Sequence, residues 1–359
     1  MPVSTKCQIA IILLLMQASG PLPTFADHSA VQAFQTPSPP AATLKNTTYL
    51  GQPAYRMTDG AGEAVISATT AHVLRFAKLG GSNWLWNAPP DHKAVIAFNG
   101  WGGNKTWLAP QSLWSIYFGH PFPPDPAWDG PDTVTILPGP CLRMTGPVSA
   151  EGVRLTRDFS FQNGEFAITQ TAEKVSGCPL ALALWSDTQV APCEAVYLPL
   201  NPTSIYQGQF VWMPKPKNPV QVTSVAPDLL RIAPEFGGAK SNFYKIATDA
   251  PVAAILAVQG NEGFLERIAR GSGDYADSAP GGGLAVQYFH HGKLDPLLHY
   301  DELELLTPLL PFTLGQRWTS TVYWSLHPLP GGVGNEGLHP MMEALLGIGP
   351  SSAPAPSRQ

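Results

Sequence analysis

The stretch 153-VRLTRDFSFQNGEFAITQTAEKV-175 decides how this chain is read. Two alternating runs, 153–161 and 165–175, flank the dipeptide Asn163-Gly164. A period of two sends successive side chains to opposite faces, so each run predicts a strand with one buried face. A two-residue Asn-Gly connection supplies the positive φ that a type I′ turn needs twice, which predicts a tight antiparallel hairpin.

Outward from this hairpin the same pattern recurs. Toward the N-terminus it predicts strands over 63–67, 72–77, 94–98 and 133–137. Toward the C-terminus it predicts 180–185, 220–225, 243–248, 252–259, 284–290, 299–306 and 317–326. The one helical pattern, 339–346, is too short to organise a domain. With 38 Pro and 34 Gly in 359 residues, corners are frequent. Short strands with many corners predict an all-β antiparallel sandwich or barrel. No repeat at a fixed period points to a propeller or solenoid.

At 44% hydrophobic the chain can bury a large core, and only 13% of its residues are charged. The net charge is −5 and the basic residues are scattered, which sets aside a nucleic-acid binder. The N-terminus has the form of an export signal over 1–26. Lys6 precedes the apolar run 9–16, and Thr24-Phe25-Ala26 ends in a small-x-Ala cleavage pattern. That run is too short to span a bilayer, and no second one follows, so no transmembrane segment is expected in the mature protein. Residues 27–45 are expected to be a flexible tether, 46–328 the β domain, and 329–359 a short helix and flexible tail. Cys141, Cys178 and Cys193 remain after signal removal. They allow one bridge, and Cys178–Cys193 would close a loop of about 15 residues for roughly 3 kcal/mol. No metal-type cysteine spacing is present, so no metal site or cofactor is expected.

Residues 98–130, FNGWGGNKTWLAPQSLWSIYFGHPFPPDPAWDG, show no sustained period of 2 or 3.6. So long a segment without periodicity is usually functional or disordered, and disordered segments are poor in aromatics. The expectation is a packed, aromatic-lined surface loop. Trp101, Trp107 and Trp128 offer flat apolar faces, and Lys105, Gln111 and Asp125 offer polar tips suited to a sugar ring. In 299–306, alternation places Tyr300, Glu302 and Glu304 on one face and Leu303 and Leu305 on the other. Paired carboxylates on one face repel unless a function retains them. Glu304 and Glu302 are therefore the candidate catalytic groups, and Tyr300 joins the candidate binding residues. The loop and this strand are expected to meet. Asn104-Lys105-Thr106 matches an N-glycosylation acceptor, and Asn104 is expected to stay unmodified. Gly-x-Ser-x-Gly and His-Glu-x-x-His motifs are absent, and His290-His291 point to opposite faces of a strand.

The blocks GSNWLWN, GWGGNKTWLAPQ, FPPDPAWDG, LWSDTQ and YDELELLTP resemble, in this order, the domain-of-unknown-function family 4380. Its members are similar to galactose-mutarotase-like supersandwich proteins, and the likeness runs from about residue 49 to 326. The resemblance implies a large antiparallel β-sandwich whose concave sheet holds a carbohydrate site. It implies that Glu304 matches the general base. One departure stands out: the stretch 182–189 carries no histidine where mutarotases place their acid. Two functions compete, a carbohydrate-recognising protein with proton-transfer chemistry and a non-catalytic glycan-binding or structural envelope module. Catalysis needs an acid and a base within reach of one bound ring.

Overall fold

The computed structural model describes residues 42–118, 122, 124–332 and 336–348. The expected signal (1–26), most of the expected tether and the tail beyond 348 lie outside the described residues. Two antiparallel sheets make a sandwich. The first runs β1 (Thr43–Tyr49), β2 (Gln52–Thr58), β3 (Gly62–Ser67), β4 (Val73–Lys78), β5 (Asn104–Ala109), β10 (Leu180–Val190), β19 (His299–Leu306), β18 (Val286–Gly292), β15 (Asn242–Thr248) and β12 (Val211–Trp212). A short strand, β20 (Leu310–Phe312), pairs with the start of β10.

The second sheet begins β13 (Gln221–Ala226), β14 (Leu229–Ala233), β11 (Ala195–Pro199), β16 (Ala253–Gln259) and β17 (Glu262–Ile268). It continues β21 (Arg317–Pro328), β9 (Glu165–Lys174), β8 (Val153–Gln162), β7 (Cys141–Val148) and β6 (Thr133–Leu137). The Asn163-Gly164 turn joins β8 to β9, with φ of 53° and 82°, and Gln162 pairs with Glu165. The left-handed backbone of this dipeptide matches the twist of the strands it joins.

Inward faces of both sheets meet in one apolar core. Phe76 of the first sheet packs among Phe166, Phe264 and Trp324 of the second, with ring centroids 5.2 to 5.8 Å apart. Offset and edge-on aromatic contacts of this kind add about 0.5–1.5 kcal/mol per pair beyond area burial. A polar strut crosses the same layer. Arg157 of β8 donates to the Asn104 side chain and to the Ala71 carbonyl, and Ser186 Oγ donates to Glu266 at 2.9 Å. Burial pushes the Glu266 carboxyl up to about 8. On the far side of the second sheet, α3 (His339–Leu346) lays Met342 and Leu346 against Ala195, Leu256 and Val258. It ends at Gly347, whose left-handed φ of 72° closes the helix.

Several sequence expectations are corrected. Residues 98–130 are not one irregular surface loop. They contain β5, the 3₁₀ turn Gln111–Leu113, the helix α2 (Trp114–Phe118) and a second 3₁₀ turn, Pro126–Asp129. Every residue of β5 is buried, the polar Asn104, Lys105 and Thr106 included, so its sequence shows no contrast between a wet and a dry face. Residues 94–98 lie in a helix, α1 (Lys93–Asn99), because an apolar run this short carries no decisive period. The first strand starts at Thr43, inside the expected tether. Cys178 and Cys193 form no bridge and are free thiols, the first exposed and the second buried. The eleven-residue β10 lies between them and spans about 36 Å, against the roughly 4–7 Å between Cα atoms that a disulfide tolerates.

Candidate functional site

The face of the first sheet turned away from the core carries a cavity of about 710 Å³. Five adjacent strands floor it, and alternation selects who points in: Lys105, Trp107 and Ala109 from β5, and Trp185 and Gln189 from β10. Tyr300, Glu302 and Leu306 come from β19, Gln287, Phe289 and His291 from β18, and Phe243 and Lys245 from β15. Register turns these columns into rows. Trp107 lies opposite Trp185, and Trp185 opposite Leu306. One row along, Lys105 lies opposite Asp187, Asp187 opposite Glu304, and Glu304 opposite Gln287. The next row aligns Gln189, Glu302, Phe289 and Lys245. Antiparallel pairing therefore gathers five ionisable groups from four strands into two neighbouring rows.

The charges of the floor are tightly organised. Lys105 Nζ stands 3.3 Å from Asp187 Oδ2 and 4.0 Å from the centroid of the Trp107 ring. Lys245 Nζ donates to Glu304 Oε2 at 2.7 Å and stands 4.9 Å from the Trp185 centroid. Glu302 Oε1 accepts from the Gln189 amide at 2.9 Å and forms no ion pair among the described residues. Burial, reinforced by the Glu302 charge, pushes Asp187 up to about 7, and Lys105 only partly offsets this. Desolvation likewise raises Glu302 and Glu304. Burial acts to lower the Lys105 pKa, but Asp187, Glu302 and Asp129 together outweigh it and hold the ammonium charged.

His291 stacks on Tyr300, with centroids 4.3 Å apart and planes 7° from parallel. Its Nδ1 lies 2.7 Å from the Leu298 carbonyl, which can only accept, so Nδ1 carries the proton and Nε2 is left as an acceptor. Burial lowers this imidazole to about 4, so it is neutral at pH 7. Among the described residues no three His, Cys, Asp or Glu side chains are grouped to hold a metal ion.

No family model matches the chain, and no curated protein matches it in sequence. Solved structures do match. A galactose mutarotase-like protein from Clostridium acetobutylicum superposes over 80% of this chain and 99% of its own, at 9% identity and a TM-score of 0.51. The fold is galactose mutarotase-like. A putative aldose 1-epimerase from Escherichia coli K12 aligns over 80% of this chain and 100% of its own, at 11% identity and a TM-score of 0.45. A galactose mutarotase-like protein from Lactobacillus casei aligns over 79% and 100%, at 10% identity and a TM-score of 0.46. At such identities the likeness concerns the fold alone.

Within this mutarotase-like sandwich the sequence candidates divide. Lys105, Trp107, Gln111, Tyr300 and Glu302 line the cavity. Glu304 lies beneath its surface, fully buried and held by Lys245. Trp101, Asp125 and Trp128 do not line it. Asp125 caps the 126–129 turn through the Ala127 N–H and also accepts from Ala150 N–H. Trp128 is a core residue, edge-on to Trp114 at 5.6 Å. Trp101 offers its carbonyl to Ala88 N–H at 3.2 Å. Trp107 is 6% exposed and has Lys105 over its ring, so that face is occupied by an ammonium.

The aromatic segment and the 299–306 strand do meet, joined through β10, where Asp187 lies between Lys105 and Glu304. Sequence reasoning missed Asp187, Gln189, Lys245 and His291 as site residues. A signal existed for the first two, since Trp185, Asp187 and Gln189 alternate in the LWSDTQ block. A lysine inside the apolar strand FYKIAT was the signal for Lys245.

Proposed function

We propose that this protein binds a carbohydrate in the concave cavity and interconverts its anomers by proton transfer. The observation that carries the proposal is Glu302, a carboxylate with a raised pKa that opens on the cavity beside two ammonium groups. The mutarotase-like fold supports the reading, as do a volume of about 710 Å³ and a mixed aromatic and polar lining, the usual form of a small-molecule site. Ring opening takes a proton from the anomeric hydroxyl, delivers one to the ring oxygen and breaks the bond between that oxygen and the anomeric carbon. Glu302 receives the first proton. The Lys105 ammonium, 3.3 Å from the Asp187 carboxylate, delivers the second and takes it back as the ring closes. Glu304 acts one step removed, by holding Lys245 at the cavity wall. Ring closure reverses each transfer, so the protein ends unchanged.

Membership of domain-of-unknown-function family 4380 belongs to this proposal, carried by the motif blocks 98–130 and 299–306. So does export with cleavage near Ala26. No helix among the described residues is long and apolar enough to cross a membrane. The deciding experiment is exchange NMR of aldoses at anomeric equilibrium, with and without protein. Faster exchange that Glu302→Gln abolishes, with binding retained, supports catalysis. Binding without faster exchange would reduce the protein to a glycan-binding module, a reading that the sealing of Glu304 under Lys245 favours. Absence of any aldose binding would remove the proposal.

A further inference from the structure

Among the described residues, the two charged rows of the cavity floor hold three carboxyl groups, Asp187, Glu302 and Glu304, against two ammonium groups, Lys105 and Lys245. Asp187 is paired with Lys105 and Glu304 with Lys245, while Glu302 is bonded, among the described residues, to the neutral Gln189 amide alone. Lys293 and Asp277, which also line the cavity, carry opposite charges and leave the excess unchanged. His291 does not supply the missing charge, because its buried imidazole is neutral. Gln189 adds to the imbalance. Its amide N–H goes to Glu302, and its Oε1 is buried without a hydrogen-bond partner among the described residues. Glu302 and Gln189 lie directly opposite each other on β19 and β10, so a surplus acceptor and a surplus charge share one spot.

The surroundings suit an organic cation. Phe289 is the register partner of Glu302, and Phe243 lines the same cavity, while the Tyr300 ring is already packed against His291 and Trp86. Aromatic faces attract ammonium groups electrostatically, and more strongly once water is displaced. The floor's own ammoniums repel a cationic ligand little, because each is matched by its carboxylate and turned over an indole ring. No three His, Cys, Asp or Glu side chains among the described residues are grouped for a metal, which leaves a donor-rich organic group.

We propose that the cavity selects a sugar bearing a protonated primary amine, with that amine held by Glu302 and Gln189 Oε1 beside the Phe289 ring. The inference rests on the carbohydrate reading above and names the substrate class. A 2-amino-2-deoxy aldose fits the geometry best. Its ammonium is vicinal to the anomeric hydroxyl, so one carboxylate can accept from both. An ammonium brings three donors, enough for a Glu302 oxygen and the Gln189 carbonyl at once.

The experiment is calorimetric titration with glucosamine, galactosamine, glucose, galactose and the two N-acetylated amino sugars, at a pH where the free amines are charged. The proposal expects the amino sugars to bind at least about tenfold more tightly than both the parent and the acetylated sugars, a usual margin for a desolvated charge-assisted hydrogen bond. Glu302→Gln should shrink that margin to within about threefold. Equal or weaker binding of the amino sugars would overturn this inference and leave carbohydrate binding standing. Binding of none of the six would overturn both. A preference that survives in Glu302→Gln, shown folded by its thermal melt, would overturn the assignment to Glu302. The wild-type comparison alone decides the amine question, should that variant fail to fold.

Discussion

Removing the charge of Lys245 tests whether the buried ion pair is built as described. In Lys245→Met the side-chain volume is kept and the ammonium is lost, which leaves Glu304 fully buried without its 2.7 Å partner. Breaking a buried pair from one side usually costs about 3–5 kcal/mol. Glu304 has an escape, since it can take up a proton and stay buried as a neutral acid. Starting from the ordinary value of 4.5, that uptake at pH 7 costs about 3.4 kcal/mol, at roughly 1.36 kcal/mol per unit. At pH 5.5 the same step costs only about 1.4 kcal/mol.

The sign follows from linkage. A carboxyl whose folded pKa lies above its unfolded value holds more protons in the folded state, so stability falls as pH rises above the unfolded value. Glu304 is already raised in the wild type, so these figures are ceilings on the difference between variant and wild type. Urea denaturation at pH 5.5 and 7 should therefore show a deficit that grows with pH by up to about 2 kcal/mol. The double variant Lys245→Met/Glu304→Gln should lose that pH dependence and recover part of the stability at pH 7. A deficit equal at both pH values, or unrelieved by Glu304→Gln, would refute the pairing.

Gly103→Ala should destabilise by more than about 2 kcal/mol, because φ is +74° and a Cβ there would collide with the Val73 carbonyl at the entry to β5; the urea midpoint checks it. Under native conditions Cys178 should react at once with a maleimide, whereas Cys193 should react only after denaturant is added, as intact mass will show. Expressed in a glycosylating host, the peptide carrying Asn104 should have its unmodified mass. The acceptor is fully buried and bonded to Ser186 and Thr188, so a glycan could be carried only by chains that have not folded.

Much of the fold was legible in the sequence because many of its strands alternate in polarity along the chain. The 153–175 hairpin, the strand 133–137 and the strand 299–306 all alternate, and each lies where its pattern placed it. Of the strands lost to reading, some lack such contrast and others are interrupted by corner residues. β5 is buried throughout, β17 carries Glu266 and Arg267 amid apolar neighbours, and β7 is broken by Gly146 and Pro147. β10 was read only to residue 185, since the polar SDTQ that follows looked like its end. In the structure those residues continue the strand, fully buried, with Ser186 and Thr188 accepting from Asn104 and Gln189 donating to Glu302 across strands.

That continuation explains why half of the site was missed. A site on the concave face of a two-sided sheet is built from polar residues that hydropathy assigns to loops, and only pairing converts them into a surface. Asp187 carries no meaning by itself. It acquires one from lying opposite Lys105 on one side and Glu304 on the other. The neighbouring residues Ser186 and Thr188 face the opposite way, where both hold Asn104, and Ser186 also reaches Glu266 of the second sheet. Alternation along β10 thus places the cavity charges and the inter-sheet strut on adjacent residues. A substitution that shifts the strut should move Asp187 against Lys105, so the packing of the two sheets sets the geometry of the two charged rows.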